Sequence, residues 1–84
     1  MNHAHATLTA LITGGSSGLG EAMAVALSRS GHRIILVSEN QKELSRAGRA
    51  CLDAGATLVH TICLDCTACD AAQRLYDECA TRGL

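Results

Sequence analysis

The chain has 84 residues, 48% of them hydrophobic but only 1% aromatic, with 5 Cys, no Pro and a formal net charge of -1. A chain this short forms one small domain burying about 60–65% of its unfolded surface, and its core must rest on Ala, Leu, Ile, Val and Cys rather than on rings. The near-neutral charge argues against a nucleic-acid surface, no apolar run approaches the roughly 20 residues that span a bilayer, and an odd cysteine count argues against a disulfide framework.

In chain order, Thr7-Leu8-Thr9-Ala10-Leu11-Ile12 is short, apolar and partly β-branched, as a buried parallel strand should be. Then comes Thr13-Gly14-Gly15-Ser16-Ser17-Gly18-Leu19-Gly20. Leu19, Ala22, Met23, Ala26 and Leu27 recur at helical spacing and predict the apolar face of a first helix. Ser30-Gly31 stops it. Arg33-Ile34-Ile35-Leu36-Val37 reads as a central parallel strand, ending at Ser38-Glu39-Asn40. Asn40, three residues before Glu43, opens a second helix whose face is Leu44, Ala47, Cys51 and Leu52, closed by Gly55. Thr57–Leu64 is the third strand, broken by Asp65-Cys66-Thr67. A third helix is expected from Thr67 as N-cap, with Asp70 at N3 and a stripe of Ala71, Ala72, Leu75 and Cys79 before Gly83. The order β-α-β-α-β-α implies parallel strands joined by right-handed crossovers.

The glycine-rich stretch therefore lies in a strand-to-helix turn, where unpaired N–H groups and the positive end of the helix dipole favour a phosphate. It is not a Walker A loop, since Glu21-Ala22 follow Gly20 in place of Lys-Ser/Thr, and a G-x-G-x-x-G register from Gly18 would need a small residue at Met23. The remaining pattern, T-G-x-x-x-G-x-G, resembles the loop of the short-chain dehydrogenase/reductase family. That resemblance implies an α/β fold, the first part of a Rossmann fold with a three-stranded parallel sheet in the order 3-2-1, and nicotinamide chemistry. It assigns the tight turn to Gly14, pyrophosphate access to Gly18 and close helix packing to Gly20, with Ser16, Ser17 and the N–H of Leu19 facing the cofactor.

The same resemblance places Ser38 and Glu39 at the adenosine ribose. Family members holding the unphosphorylated cofactor usually carry an acid at the place of Ser38. Those holding the phosphorylated one carry Arg at the place of Glu39 or a basic residue at the place of Ser17. This chain departs from both patterns, and Glu39 would repel a 2′-phosphate, so NAD is favoured over NADP. Asp65 and Cys66 stand where the family contacts adenine. The local alternative for Asp65 is a carboxylate accepting backbone N–H groups near a helix start.

The family's proton donor, a Tyr with Lys four residues on, has no match, because Tyr76 precedes Asp77-Glu78-Cys79-Ala80 and the only Lys is Lys42. No catalytic residue is therefore assigned. The resemblance covers residues 1–84 as a single, apparently truncated dinucleotide-binding segment, about the first third of a family member, and a carbonyl or alcohol substrate is expected only of a complete protein. The phrase Thr13–Gly18 also resembles loops of 3-ketosphinganine reductases, but it is too common to fix a substrate. Two alternatives stand beside an oxidoreductase segment: a nucleotide-binding or interaction module without catalysis, and a cysteine-based metal or redox site. The latter rests on Cys63-x-x-Cys66-x-x-Cys69, with His60 and Cys79 nearby. It lacks the fourth close cysteine of a ferredoxin-like run and the separated knuckles of structural zinc. With no secretory layout in Met1–Ala6, a cytoplasmic location is expected. Self-association through the open edge of the first strand is expected as well.

Overall fold

The computed structural model describes residues 7–15 and 18–84. Its elements run β1 (Thr9–Thr13), α1 (Gly18–Arg29), β2 (Arg33–Ser38), α2 (Gln41–Ala54), β3 (Leu58–Cys63) and α3 (Ala71–Arg82). The strands form one three-stranded parallel sheet with β2 in the middle, pairing Thr9 with Arg33 and Arg33 with Leu58 at one end, and Thr13 with Val37 and Ser38 with Cys63 at the other. This is the expected order.

Alternation along β2 divides the core between the two faces of the sheet. Ile34 and Leu36 join Ala24 of α1 and Leu44, Ala47 and Cys51 of α2. Ile35 and Val37 join Ile62 and Leu64, against which Leu75 and Cys79 of α3 pack. Four consecutive buried residues, Ile34–Val37, mark β2 as the strand covered on both faces. β1 differs from its expectation as a buried strand. It alternates exposed and half-buried positions because helices cover only one of its faces and β2 only one of its edges.

Of the expected face of α1, Leu27 is half-buried and packs against the core, but the other four residues do not form the buried face. Leu19 is 77% and Met23 51% exposed, and Ala22 and Ala26 are exposed too, whereas Ala24 and Ser28 are fully buried. Small size decides this. Gly20, Ala24 and Ser28, four residues apart, let the helix approach the strands closely, and a Cβ at Gly20 would collide with the carbonyl oxygen of Gly14. Ser28 meets its own polar need by donating from Oγ to the Ala24 carbonyl at 2.7 Å. The rotation is held from the side by Arg46 of α2, which donates to both carboxylate oxygens of Glu21 at 2.8 and 2.9 Å.

In α2 the expected Leu44, Ala47 and Cys51 are buried, but Leu52 is exposed and Gly48 takes its place against β3. Asn40 caps this helix as expected, its Oδ1 accepting from Glu43 N at 3.0 Å. Thr67 does not cap α3. The helix starts later, behind Asp70, which makes no side-chain cap bond. Of its predicted stripe, Ala71 is buried and Leu75 and Cys79 half-buried, while Ala72 is exposed.

Candidate functional site

Parallel strands bring their C-terminal ends to one side of the sheet, and two hydrogen bonds draw the loops there together. Gly14 N donates to the Val37 carbonyl at 2.8 Å, and Leu64 N donates to the Ser38 carbonyl at 2.9 Å. Between them lies a cleft of about 200 Å³ whose lining includes Gly14, Ser38, Glu39, Asp65 and Cys66. Five sequence-predicted residues from three separate loops thus share one cavity.

Gly14 has φ 67° and Gly18 has φ 60°, left-handed values that glycine adopts without Cβ strain. A Cβ at either would meet nothing within 4 Å, so the backbone there is open to an incoming group. Gly18, Leu19 and Gly20 form the first turn of α1, where N–H groups have no partner within the helix. They stand beside the cleft, outside its lining. Ser16 and Ser17, predicted to face the cofactor, lie outside the described residues.

Ser38 is half-buried, and its Oγ accepts from Asn40 N at 3.2 Å. Glu39 is exposed, and its carbonyl accepts a weak bond from Cys63 Sγ at 3.4 Å. Asp65 Oδ1 accepts from Thr67 N at 2.9 Å and from Thr67 Oγ1 at 2.6 Å. The hydroxyl bond first, and the backbone bond second, hold the Asp65 carboxyl below its ordinary range. The local reading of Asp65 is therefore realised, in a residue that also lines the cleft.

Sequence reasoning missed Thr67 as a lining residue by assigning it to a helix start. The readable signal was Asp-x-Thr after a strand, the pattern of an Asx turn. Gly15 does not line the cleft but is buried in the packing beneath the loop, where a Cβ would stand 2.8 Å from Leu36 Cδ2. The metal form of the cysteine alternative finds no support in the geometry, since among the described residues no three His, Cys, Asp or Glu side chains are placed to share a metal ion. Cys63 ends β3, Cys66 lines the cleft, and Cys79 packs beneath the sheet on α3.

A family model described as short chain dehydrogenase matches residues 8–83, nearly the whole described chain. The chain belongs to the short-chain dehydrogenase family. It is 30% identical over 74 residues to the short chain dehydrogenase/reductase dpfgG of Gibberella zeae, a match covering 88% of this chain and 27% of that protein. Among solved structures, a metagenomic short-chain oxidoreductase in complex with NADP aligns with a TM-score of 0.77 and 28% identity, covering 90% of this chain and 34% of that one. NAD+-bound xylitol dehydrogenase aligns with a TM-score of 0.78 at 24% identity, over 90% of this chain and 28% of that one, a likeness of fold. The short-chain dehydrogenase segment described here thus spans about a quarter to a third of the length of these relatives. No helix among the described residues is long and apolar enough to cross a membrane.

Proposed function

We propose that this chain is the nucleotide-binding part of a nicotinamide-dependent oxidoreductase, holding the adenosine and pyrophosphate portion of a dinucleotide in the cleft at the strand ends. The observation that carries the reading is the convergence of Gly14, Ser38, Glu39, Asp65 and Cys66 on that cleft, beside an open glycine turn at a helix start. The residues fit the group. Gly18 leaves its backbone uncovered where a pyrophosphate would come close, and Gly20 keeps the helix start against the strand. Asp65, held ionised by Thr67, offers an acceptor to an exocyclic amino group, and Glu39 offers one to ribose hydroxyls.

Bound nicotinamide would supply hydride chemistry, and the proton donor and substrate contacts belong to a longer protein carrying this segment. The substrate proposed there is a small carbonyl or alcohol. NAD is the proposed cofactor because Glu39 sets a negative charge where a 2′-phosphate would lie, and among the described residues no cation lines the cleft to offset it. A cytoplasmic setting, and self-association of this segment by itself through the edge of β1 that is unpaired among the described residues, are part of the same proposal.

Calorimetric titration tests it. ADP-ribose should bind wild-type chain saturably, and more tightly than its 2′-phosphorylated form by about tenfold, or ~1.4 kcal/mol. Glu39→Arg should reverse that order. Gly18→Trp should remove binding of both ligands while the circular dichroism spectrum is kept. Absence of saturable binding at millimolar ADP-ribose sinks the nucleotide reading, and tighter binding of the phosphorylated ligand to wild type sinks the NAD assignment.

A further inference from the structure

The cleft at the strand ends is lined by two acids, Glu39 and Asp65, and among the described residues no Lys or Arg lines it. A third carboxylate stands close by. Glu21 lies in the first turn of α1, three residues or about 4.5 Å of rise beyond Gly18. A carboxylate at that place draws on the same field of the helix N-terminus that a pyrophosphate would use. Left bare, it would set like charge against the ligand.

Glu21 is not bare. Arg46, from the second turn of α2, donates through Nη1 to its Oε2 at 2.9 Å and through Nη2 to its Oε1 at 2.8 Å, the two-pronged geometry of a strong guanidinium–carboxylate pair. The same guanidinium reaches Glu43 through one nitrogen at 3.5 Å. Between those two carboxylates the fork is on Glu21, which is also the more sheltered, its side chain 21% exposed against 40% for Glu43. Shelter reduces screening, so the charge of Glu21 matters more to its surroundings than that of an open surface acid. Hydrogen bonds from Arg46 hold the Glu21 carboxyl below its ordinary value of 4.5, and at that ordinary value it is still ionised near neutrality. Removing Arg46 therefore uncovers a full negative charge at the helix start, not a neutral acid.

We propose, on the nucleotide reading of the cleft, that Arg46 is a positioning residue for the pyrophosphate and acts through Glu21. It holds that carboxylate toward α2 and offsets its charge, so that the first turn of α1 meets the anion without a competing acid. A mere brace between α1 and α2 and a charge mask of this kind differ in sign at Glu21. A brace is lost from either end alike. A mask is lost only when Arg46 goes, whereas removing the Glu21 charge leaves Arg46 as an uncompensated cation beside the helix start and strengthens the pull on a phosphate.

Calorimetric titration of ADP-ribose into wild type, Glu21→Gln, Arg46→Met and the double variant reads that sign, with circular dichroism to check each fold. Arg46→Met should bind about fivefold more weakly than wild type at ~0.02 M salt, with most of the loss gone at ~0.5 M. Glu21→Gln should bind more tightly than wild type at the lower salt, and the double variant should return to within about twofold of wild type. Arg49→Met removes the same charge from an exposed site on α2, paired with Asp53 at 3.7 Å, and should stay within about twofold of wild type. Weaker binding in both Glu21→Gln and Arg46→Met, a loss in Arg46→Met that salt leaves unchanged, no loss at all, or an equal loss in Arg49→Met overturns the proposal and leaves the nucleotide reading standing. Failure of wild type to bind ADP-ribose overturns both. Should Arg46→Met unfold, Glu21→Gln decides: tighter binding upholds the mask, and unchanged or weaker binding overturns it.

Discussion

Asp65 shows how one side chain serves the fold and the site together. Its Oδ1 takes two bonds from Thr67, which close the turn after β3 and keep the carboxyl ionised below its ordinary value of 3.8. Because the folded value is depressed, the stabilisation is fully present above the unfolded value near 3.8 and disappears as pH falls through the lower folded value. Thr67→Val, which removes the hydroxyl donor, should raise the Asp65 value toward 3.8, read by NMR titration of the carboxyl carbon. An unmoved titration would show that Thr67 is not the cause. At this scale the site was partly legible. That Gly14, Ser38, Glu39, Asp65 and Cys66 meet at the strand ends follows from the β-α-β order, whereas the part each would play toward a nucleotide was assigned by the family resemblance. Thr67 was missed because it looked like a helix cap.

At the scale of elements, caps and faces divide into those written in local chemistry and those set by neighbours. Asn40 before Glu43 is local, and its bond to Glu43 N is made. Thr67 looked equally suitable, but its N–H and hydroxyl both donate to Asp65 Oδ1 in a turn of their own, and the helix begins only behind Asp70. Asn40→Ala should therefore lower stability by about 1 kcal/mol. Asp70→Ala should change it by less than about 0.5 kcal/mol, since Asp70 makes no cap bond and its carboxylate only approaches Arg74 at 4.0 Å. Urea melts of both variants at one protein concentration check this, and equal losses would contradict the assignment of the caps. The face of α1 was not legible in the same way. Close packing at Gly20 was expected from the glycine pattern, but hydrophobicity weighted Leu19 and Met23, whereas the approach of the helix to Gly14 and its tie to Arg46 selected Ala24 and Ser28. Only the position of α2 discloses that.

Across the whole molecule, the sheet separates residues that would have to meet for carbonyl reduction. Lys42 opens α2, whose Leu44, Ala47 and Cys51 pack on one face of the sheet. Tyr76 belongs to α3, whose Leu75 and Cys79 pack on the other. A phenol, titrating near 10, needs a neighbouring cation to give its proton near neutrality. Tyr76 is 70% exposed, lies on the far side of the sheet from Lys42, and does not line the cleft. Among the described residues, neither Tyr76 nor Lys42 lines the cleft at the strand ends. The purified 84-residue chain, given NADH or NADPH and a range of ketones and aldehydes, should show no loss of absorbance at 340 nm above the rate without protein. Tyr76→Phe should leave nucleotide affinity unchanged. Turnover that follows the chain through purification and vanishes in Tyr76→Phe would place a proton donor where the fold puts none, and would require the sheet faces to be reassigned.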